Sequence, residues 1–229
     1  MGTQEQFAAF RAEVDEVCRS CGRDPRDVML VAVSKTVDAD AVEQAVAAGA
    51  LDFGENRPDD LMSKAAAISR PRWHFIGNVQ SRRIPDIVAH SYLIHSVFKM
   101  DHLAKIDAAA KDAGKIQNIL LEINSGEESK GGLDPKMSFG FLGAASRLPH
   151  IRLCGLMTMA PQGDADAARR CFAALRELRD DIVSSGTVDD AYFNELSMGM
   201  SEDWREAVEE GATIIRVGRA VFSADFGIQ

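Results

Sequence analysis

The sequence has no long apolar run and no dense stretch of basic residues. No segment approaches the roughly 20 apolar residues of a membrane-spanning helix, and residues 1–10 lack the basic and then apolar pattern of a secretory signal. The formal net charge is −9, from 35 acidic and 26 basic residues, without a Lys or Arg cluster long enough to follow a phosphate backbone. We therefore expect a cytoplasmic protein that has neither a membrane nor a nucleic acid as partner.

The four cysteines give no metal-binding pattern. Cys18 and Cys21 form a single Cys-x-x-Cys pair, and no second pair of cysteines or histidines is spaced to complete a zinc site. The pair also lies in a helical pattern rather than after a strand, which argues against a redox motif. We expect reduced cysteines and no metal site.

The sequence does contain a regular alternation of short apolar runs and amphipathic segments. Eight runs have the length and β-branched content of buried strands, namely residues 28–33, 51–53, 73–76, 92–97, 119–123, 151–157, 192–196 and 213–217. Apolar residues at three- and four-residue spacing predict helices, notably over residues 4–19, 39–48, 101–113, 165–184 and 202–210.

Eight strands that are each followed by a helical segment favour an α/β fold of the closed (β/α)8 barrel type over an open doubly wound sheet. A chain of 229 residues has the length of one such barrel, so we expect residues 1–229 to form a single domain. Residues 219–229 are short for a complete eighth helix. We therefore expect the additional N-terminal helix to complete the outer ring.

Lys35 lies just after the first predicted strand, at the mouth of the barrel. Function in this fold gathers at the C-terminal ends of the strands. A buried amine loses its proton more readily and then attacks carbonyl groups. The alternative is that Lys35 only extends from the strand end into solvent, as lysines commonly do.

The loops after the seventh and eighth strands have the residues of a phosphate site. Barrels frequently bind phosphate at these two loops through backbone N–H groups. Residues 196–201 read Leu-Ser-Met-Gly-Met-Ser, and we expect Ser201 to be the N-cap of the next helix. Gly199 and Gly218 permit a close backbone approach, and Arg219 adds positive charge.

A lysine nucleophile opposite a phosphate site predicts pyridoxal 5′-phosphate, which has an aldehyde at one edge and a phosphate at another. Arg216 stands in an otherwise apolar strand, where a charge is tolerated only if it faces the barrel mouth or a partner. An arginine facing the pyridine nitrogen keeps that nitrogen unprotonated and weakens the ring as an electron sink. An ion pair of Arg216 with Glu55 or Glu122 is the alternative.

Two further residues are candidates for contact with the cofactor ring. Asn56 follows the second strand, and its amide can hydrogen-bond a phenolic oxygen. His74 lies in the third strand, and it is either a ring contact or a core residue whose hydrogen bonds are satisfied elsewhere.

Six motifs recur in the same order in the pyridoxal phosphate homeostasis protein family, which the chain resembles over nearly its whole length. They are Ala-Val-Ser-Lys-Thr at 32–36, Phe-Gly-Glu-Asn at 53–56, Trp-His-Phe-Ile-Gly at 73–77, Gly-Leu-Met-Thr-Met-Ala-Pro at 155–161, Leu-Ser-Met-Gly-Met-Ser at 196–201 and Arg-Val-Gly at 216–218. The resemblance implies the barrel of the alanine racemase N-terminal domain, with the cofactor held as a Schiff base on Lys35. It also implies that Arg216 faces the ring nitrogen and that Ser201, Gly218 and Arg219 hold the phosphate.

The same resemblance implies cofactor homeostasis, in which the protein supplies pyridoxal phosphate to apo-enzymes through transient contacts and has no reaction of its own. We accordingly expect a monomer without catalytic residues. The candidate cofactor-binding residues are Lys35, Asn56, His74, Ser197, Met200, Ser201, Arg216, Gly218 and Arg219.

The chain departs from the family pattern at a few positions. Arg219 stands where the family usually has Ser or Thr, and the family usually has a Gly near Ser223. Residues 80–83 replace an Asn-Lys pair, and residues 124–130 are one residue shorter than usual. These departures bear on the phosphate geometry and on partner-facing roles of Arg83 and Lys130.

Two other functions fit the barrel. An amino-acid racemase or decarboxylase is one, but two-base racemisation needs an acid–base group opposite the lysine. The only tyrosines, Tyr92 and Tyr192, are expected at the starts of their strands, the wrong end of the barrel. A Schiff-base aldolase or a phosphate-sugar isomerase is the other, and no acid and base pair next to Lys35 is evident.

Overall fold

Eight parallel strands form a closed barrel in chain order, which confirms the expected architecture. The computed structural model describes residues 2–126 and 131–223. The strands are β1 (Met29–Val33), β2 (Asp52–Glu55), β3 (Arg72–Phe75), β4 (Leu93–Val97), β5 (Gln117–Glu122), β6 (Ile151–Met157), β7 (Glu195–Ser197) and β8 (Ile214–Val217). β1 also pairs with β8, with Val31 opposite Arg216, so the mouth loops of the first and last strands are neighbours.

The helices of the described residues surround the barrel. They are α1 (Thr3–Ser20), α2 (Ala39–Ala47), α3 (Pro58–Ala67), α4 (Ile84–His90), α5 (Met100–Asp112), α6 (Ser138–Ala145), α7 (Ala165–Ser184), α8 (Trp204–Glu209) and α9 (Arg219–Phe222). α1 packs against α2, α8 and the short α9, and it buries the apolar stripe that includes Phe7, Phe10 and Val14. The N-terminal helix therefore completes the outer ring, as the sequence predicted.

Alternate residues of each strand face opposite sides of the barrel wall because side chains along a strand alternate in direction. Leu30 and Ala32 of β1 join the large core between the strands and the outer helices. Val31 joins a smaller apolar cluster inside the barrel, together with Leu93, Leu120, Met157 and Ile214. The same alternation carries Val33 and then Lys35 to the inner side at the mouth, where both line one cavity.

The seventh strand begins later than the sequence indicates. Residues 192–196 were expected to be extended, but β7 is Glu195–Ser197. The Asp189 carboxylate accepts a hydrogen bond from the Ala191 N–H, and the Asp189 carbonyl accepts from Tyr192 and Phe193. This local turn competes with the strand that the apolar pattern favours.

Two features outside the barrel mouth relate to the expectations about membrane-spanning helices and about the cysteines. In the described part of the chain, no helix is both long enough and apolar enough to cross a membrane. Cys18 is buried in α1 and Cys21 is exposed just after it, and all four cysteines are free. Burial is the largest cause that raises the pKa of Cys18, so this thiol is poorly suited to redox chemistry.

Candidate cofactor-binding site

A cavity of about 550 Å³ opens at the C-terminal ends of the strands. This volume is within the range of small-molecule and cofactor sites. Seven of the nine residues that the sequence nominates line it, namely Lys35, Asn56, Met200, Ser201, Arg216, Gly218 and Arg219. The β6–α7 segment, including Met159 and Pro161, and the mouth residues Ile76 and Gly77 complete much of the wall.

Lys35 reaches this cavity from the residues that follow β1. Its side chain is exposed rather than buried, which corrects the expectation of a buried amine. Among the residues that the structure describes, no hydrogen-bond or ion-pair partner contacts the amine. Lys35 therefore enters an open cavity with its nitrogen available to react.

Arg216 lies at the inner end of the cavity and is only 4% exposed. Its Nη1 donates to Ser197 Oγ at 2.5 Å, and its Nη2 donates to the Thr158 carbonyl at 3.0 Å. Burial lowers the pKa of Arg216 to about 10, against the opposing charges of Asp203 and Glu122. The guanidinium is therefore charged at neutral pH although no carboxylate contacts it among residues 2–126 and 131–223.

The alternative ion pair of Arg216 with Glu55 does not form because Glu55 has another partner. Glu55 Oε1 accepts from Lys64 Nζ at 2.6 Å and from Ser34 Oγ at 2.7 Å. Lys64 also donates to the Ser34 carbonyl at 2.7 Å. This buried cluster ties α3 to the ends of β1 and β2 directly before Lys35.

The loop after β7 contains a glycine whose backbone lies close to the last strand. Gly199 has a φ of +92°, a conformation that side chains rarely adopt, and a Cβ there would lie 2.5 Å from Ala207 Cβ. The Gly199 carbonyl accepts from the Arg216 N–H at 2.9 Å. The glycine thus permits the backbone of this loop to cross close to the last strand.

Ser201 is not the N-cap that the sequence predicted. α8 begins at Trp204, and Asp203 occupies the N-cap position. The Asp203 carboxylate accepts from the Met200 N–H at 2.5 Å, which closes the turn before the helix. Because Asp203 has this role, the Ser201 hydroxyl is available to the cavity.

The loop after β8 lies beside the end of β1. A Cβ on Gly218 would lie 3.1 Å from the Val33 carbonyl oxygen, which is closer than side chains normally allow. Arg219 follows and donates to Glu202 Oε1 at 2.5 Å, linking the β8 loop to the β7 loop. Both of these residues line the cavity, so a phosphate-binding role for Arg219 would compete with Glu202.

The remaining two nominated residues, Ser197 and His74, lie beneath the cavity rather than in its lining. Ser197 is fully buried and contacts Arg216 on one side and His95 on the other, at 2.8 Å from His95 Nδ1. His74 is also fully buried, and its ring nitrogens contact Asp52 and His95. Of the two alternatives for His74, the structure therefore favours a core residue whose hydrogen bonds are satisfied by other side chains.

Sequence reasoning missed His95, Asp52 and Thr158, which surround the nominated residues. His95 interrupts the apolar strand Leu93–Val97 at an inward position. The same signal, a polar residue in an apolar strand, was used for Arg216 and could have identified His95. Thr158 contributes its backbone carbonyl, for which the side-chain pattern gives no signal.

Replacing Ser201 with Ala is expected to weaken cofactor retention by about 1 kcal/mol or somewhat more, the scale of one hydrogen bond to a charged group. Because Ser201 does not cap α8, the thermal midpoint of the apo-protein should be unchanged. Equilibrium dialysis against pyridoxal phosphate measures the first quantity and calorimetry the second. Ser20→Ala, at an exposed position of α1, is the control, and equal affinities of the two variants would remove Ser201 from the binding site.

Glu122 lies beneath the mouth at 5% exposure, and burial raises its pKa to about 7 against the opposing charge of Arg216. The folded state therefore holds the Glu122 proton at a pH where the unfolded chain, with a pKa near 4.5, has lost it. Below about pH 4.5 the carboxyl is protonated in both states, so its burial does not lower the free energy of unfolding. As the pH rises to about 7 the free energy of unfolding falls, and above that pH the loss is about 3 kcal/mol.

The Glu122→Gln variant should lack this pH-dependent cost. Between pH 5 and pH 8, the free energy of unfolding of the parent chain is expected to fall relative to that of the variant. Urea denaturation of both proteins at the two pH values gives the double difference, from which groups common to both proteins cancel. A double difference of zero would mean that Glu122 titrates normally.

Comparison with known proteins identifies the relatives of this chain. Residues 6–225 match the family described as alanine racemase, N-terminal domain. A Pseudomonas aeruginosa protein named pyridoxal phosphate homeostasis protein is 38% identical over 228 residues, which cover 97% of this chain and 96% of that protein. The chain belongs to the pyridoxal phosphate homeostasis protein family.

Solved structures with the same barrel are similar to this chain. A protein of unknown function from Bifidobacterium adolescentis has a TM-score of 0.91 at 34% identity, covering 96% of this chain and 94% of that one. PipY of Synechococcus elongatus, solved with PLP bound, has a TM-score of 0.84 at 33% identity, covering 96% and 99%. The expectations of family and fold are thereby confirmed.

The departures from the family pattern have different outcomes. Arg83, in the segment that replaces the Asn-Lys pair, donates to Asp59 at 2.5 Å and to Asp86 at 2.8 Å. This pairing supports a structural role between α3 and α4. Lys130 lies outside the described residues.

Proposed function

We propose that this chain binds pyridoxal 5′-phosphate as a Schiff base on Lys35 and supplies the cofactor to apo-enzymes, without a reaction of its own. The observation that carries the proposal is that one cavity joins the Lys35 amine, which has no partner among the described residues, the Arg216 guanidinium and two glycine-containing loops. The names of the relatives and the structure of PipY with PLP bound support the choice of cofactor.

The residues of the cavity fit the separate groups of this cofactor. Lys35 supplies the amine for the aldehyde. Ser201 and the Gly218–Arg219 segment supply backbone N–H groups, a hydroxyl and a charge for the phosphate, since the Met200 N–H already donates to Asp203. Asn56 is available for the phenolic oxygen, and Arg216 for the pyridine nitrogen.

Bound pyridoxal phosphate supplies an electron sink for amino-acid chemistry, and its strength depends on the protonation of the ring nitrogen. With a pKa of about 10, Arg216 keeps its proton and acts only as a donor to that nitrogen. A second base opposite Lys35 is also needed for racemisation. Tyr92 and Tyr192 are both exposed, precede β4 and β7, and stack with Arg72 and Arg152 at the opposite end of the barrel.

We also propose that residues 1–229 act as one domain, as a cytoplasmic monomer that contacts apo-enzymes only transiently. The test is to mix the cofactor-loaded protein with an apo-aminotransferase in the presence of a phosphatase that destroys free pyridoxal phosphate. The aminotransferase should regain activity, whereas Lys35→Ala protein treated in the same way should not restore it. Reactivation that the phosphatase abolishes would mean release of free cofactor rather than delivery.

The loaded protein should form D-alanine from L-alanine at no more than a trace rate, and it should neither decarboxylate nor transaminate common amino acids. A chiral assay of D-alanine, with Lys35→Ala as the control, measures the first reaction. Robust turnover that disappears in the Lys35→Ala variant would overturn the carrier function in favour of a racemase.

A further inference from the structure

A continuous chain of buried polar side chains crosses the inside of the barrel, from the cavity toward the N-terminal end of the strands. It consists of Arg216, Ser197, His95, His74 and Asp52, which we call the interior chain. After the 2.5 Å contact of Arg216 with Ser197, the successive distances are 2.8, 2.9 and 3.0 Å. Each of the five residues is at most 6% exposed.

The two ends of the interior chain have fixed roles. A guanidinium has only donors, so Ser197 Oγ must accept from Arg216. At the other end, burial alone would raise the pKa of Asp52, but hydrogen bonds from His74 and Arg72 outweigh burial and lower it. Asp52 is therefore a carboxylate that only accepts, and Arg72 contacts it at 2.7 Å.

Burial favours the neutral form of the two histidines between these ends. Complete burial lowers the pKa of His74, although the Asp52 carboxylate opposes this effect. Burial lowers the pKa of His95 well below its usual value, and the neighbouring His74 and Arg216 lower it further. A neutral imidazole has one N–H donor and one bare nitrogen acceptor. A histidine that donates to one neighbour in the interior chain must therefore accept from the other.

One set of proton positions satisfies all of these contacts. His74 donates from Nε2 to Asp52, so its Nδ1 is bare and accepts from His95 Nε2–H. His95 Nδ1 is then bare and accepts the Ser197 hydroxyl proton. Since that proton faces His95, Ser197 presents only lone pairs to Arg216.

We propose that His95 is a positioning residue for Arg216, because it fixes the Ser197 hydroxyl as an acceptor and thereby holds the guanidinium in one orientation at the base of the cavity. The proposal rests on the cofactor site described under Proposed function. His95 lies outside the cavity lining, so it acts only through Ser197. The Thr158 carbonyl holds the other Nη atom of Arg216, and together the two acceptors leave the guanidinium no freedom to turn.

The first test uses the apo-protein and does not depend on the cofactor. Long-range ¹H–¹⁵N NMR distinguishes the two neutral tautomers and the imidazolium form of each histidine. At neutral pH, His74 and His95 are expected to be neutral and protonated at Nε2. A doubly protonated His74 with His95 protonated at Nδ1 would reverse the chain and overturn the proposal.

The second test replaces His95. In His95→Met, which removes both hydrogen bonds, the Arg216 Nη resonances of the apo-protein should merge, because the guanidinium can rotate. Release of pyridoxal phosphate, followed in the presence of a phosphatase, should be about tenfold faster, the scale of one hydrogen bond to a charged group. His95→Gln, whose amide has one donor group and one acceptor, should restore much of both properties.

His90→Met, on α4 and outside the interior chain, is the matched control and should leave both readouts unchanged. If His95→Met keeps resolved Arg216 resonances and normal release, the positioning role is wrong. If His95→Met does not fold, the histidine tautomers and the release rate of His95→Gln decide the matter. If the parent chain binds no cofactor at Lys35, the proposed function fails, while the NMR result still reports on the interior chain.

Discussion

A Lys35→Ala variant is expected to fold as the parent chain does and to lose covalent attachment of pyridoxal phosphate completely. The side chain is exposed and has no partner within residues 2–126 and 131–223, so its removal should change the free energy of unfolding by no more than about 0.5 kcal/mol. Attachment requires an amine at this position. The visible absorption band after dialysis against excess cofactor measures attachment, and urea denaturation measures stability.

Two matched variants separate the amine from the charge. Lys35→Arg keeps a positive charge but cannot form a Schiff base, so it should also lack the band. Lys105→Ala removes a half-exposed lysine that pairs with Asp101 on α5, and it should retain the band. A band that persists in Lys35→Ala would move the attachment to another lysine, such as Lys64, which contacts the Ser34 carbonyl next to Lys35.

The second large effect is expected from Gly77→Ala at the wall of the cavity. A Cβ at Gly77 would lie 2.0 Å from the Asn56 carbonyl oxygen and 2.6 Å from its carbonyl carbon. Both of these atoms belong to the backbone, which is held by the Ile76 N–H donating to the Glu55 carbonyl at 2.9 Å. The ends of β2 and β3 would have to separate, at a cost of about 3 kcal/mol.

Because Asn56 and Gly77 both line the cavity, this separation should also reduce cofactor retention. Gly143→Ala is the matched control, since its Cβ would meet nothing within 4 Å on α6. That change should stabilise the protein by about 0.5–1 kcal/mol, because alanine is the better helix former. Thermal unfolding and equilibrium dialysis of both variants test the account, and a Gly77→Ala protein as stable as the parent would contradict the close approach of the two strands.

The barrel was predictable because its signals are local and repeated. Each strand is a short apolar run followed by a helical pattern, and α7 (Ala165–Ser184) was predicted with the bounds that it has in the structure. The position of the mouth then follows from the parallel topology. This is why seven of the nine nominated residues lie around one cavity, although they are distant in sequence.

The errors came from hydrogen bonds that a residue pattern does not specify. Ser201 and Asp203 both suit a helix N-cap, and only the start of the helix at Trp204 distinguishes them. The turn at Asp189 displaced the start of β7 in the same way. Lys35 was expected to be buried because an apolar strand precedes it, but one strand cannot show how wide the cavity beyond it is.

The interior chain illustrates a different limit. His74 and His95 are 21 residues apart and belong to adjacent strands, while Ser197 is 102 residues beyond His95. Their contact depends on strand register inside a closed barrel. The sequence gives the residue types, but the direction of the hydrogen bonds follows only from the distances and the burial.

The central claim is that Lys35 is the residue that holds the cofactor. It is tested most directly by incubating the full chain with pyridoxal phosphate, reducing the product with borohydride and locating the modified residue by peptide mass spectrometry. Reduction makes a Schiff base permanent, so the account predicts a pyridoxyl modification on Lys35 in stoichiometric yield and only background modification elsewhere. Stoichiometric modification of another lysine with Lys35 unmodified, or no modification of the protein, would contradict it.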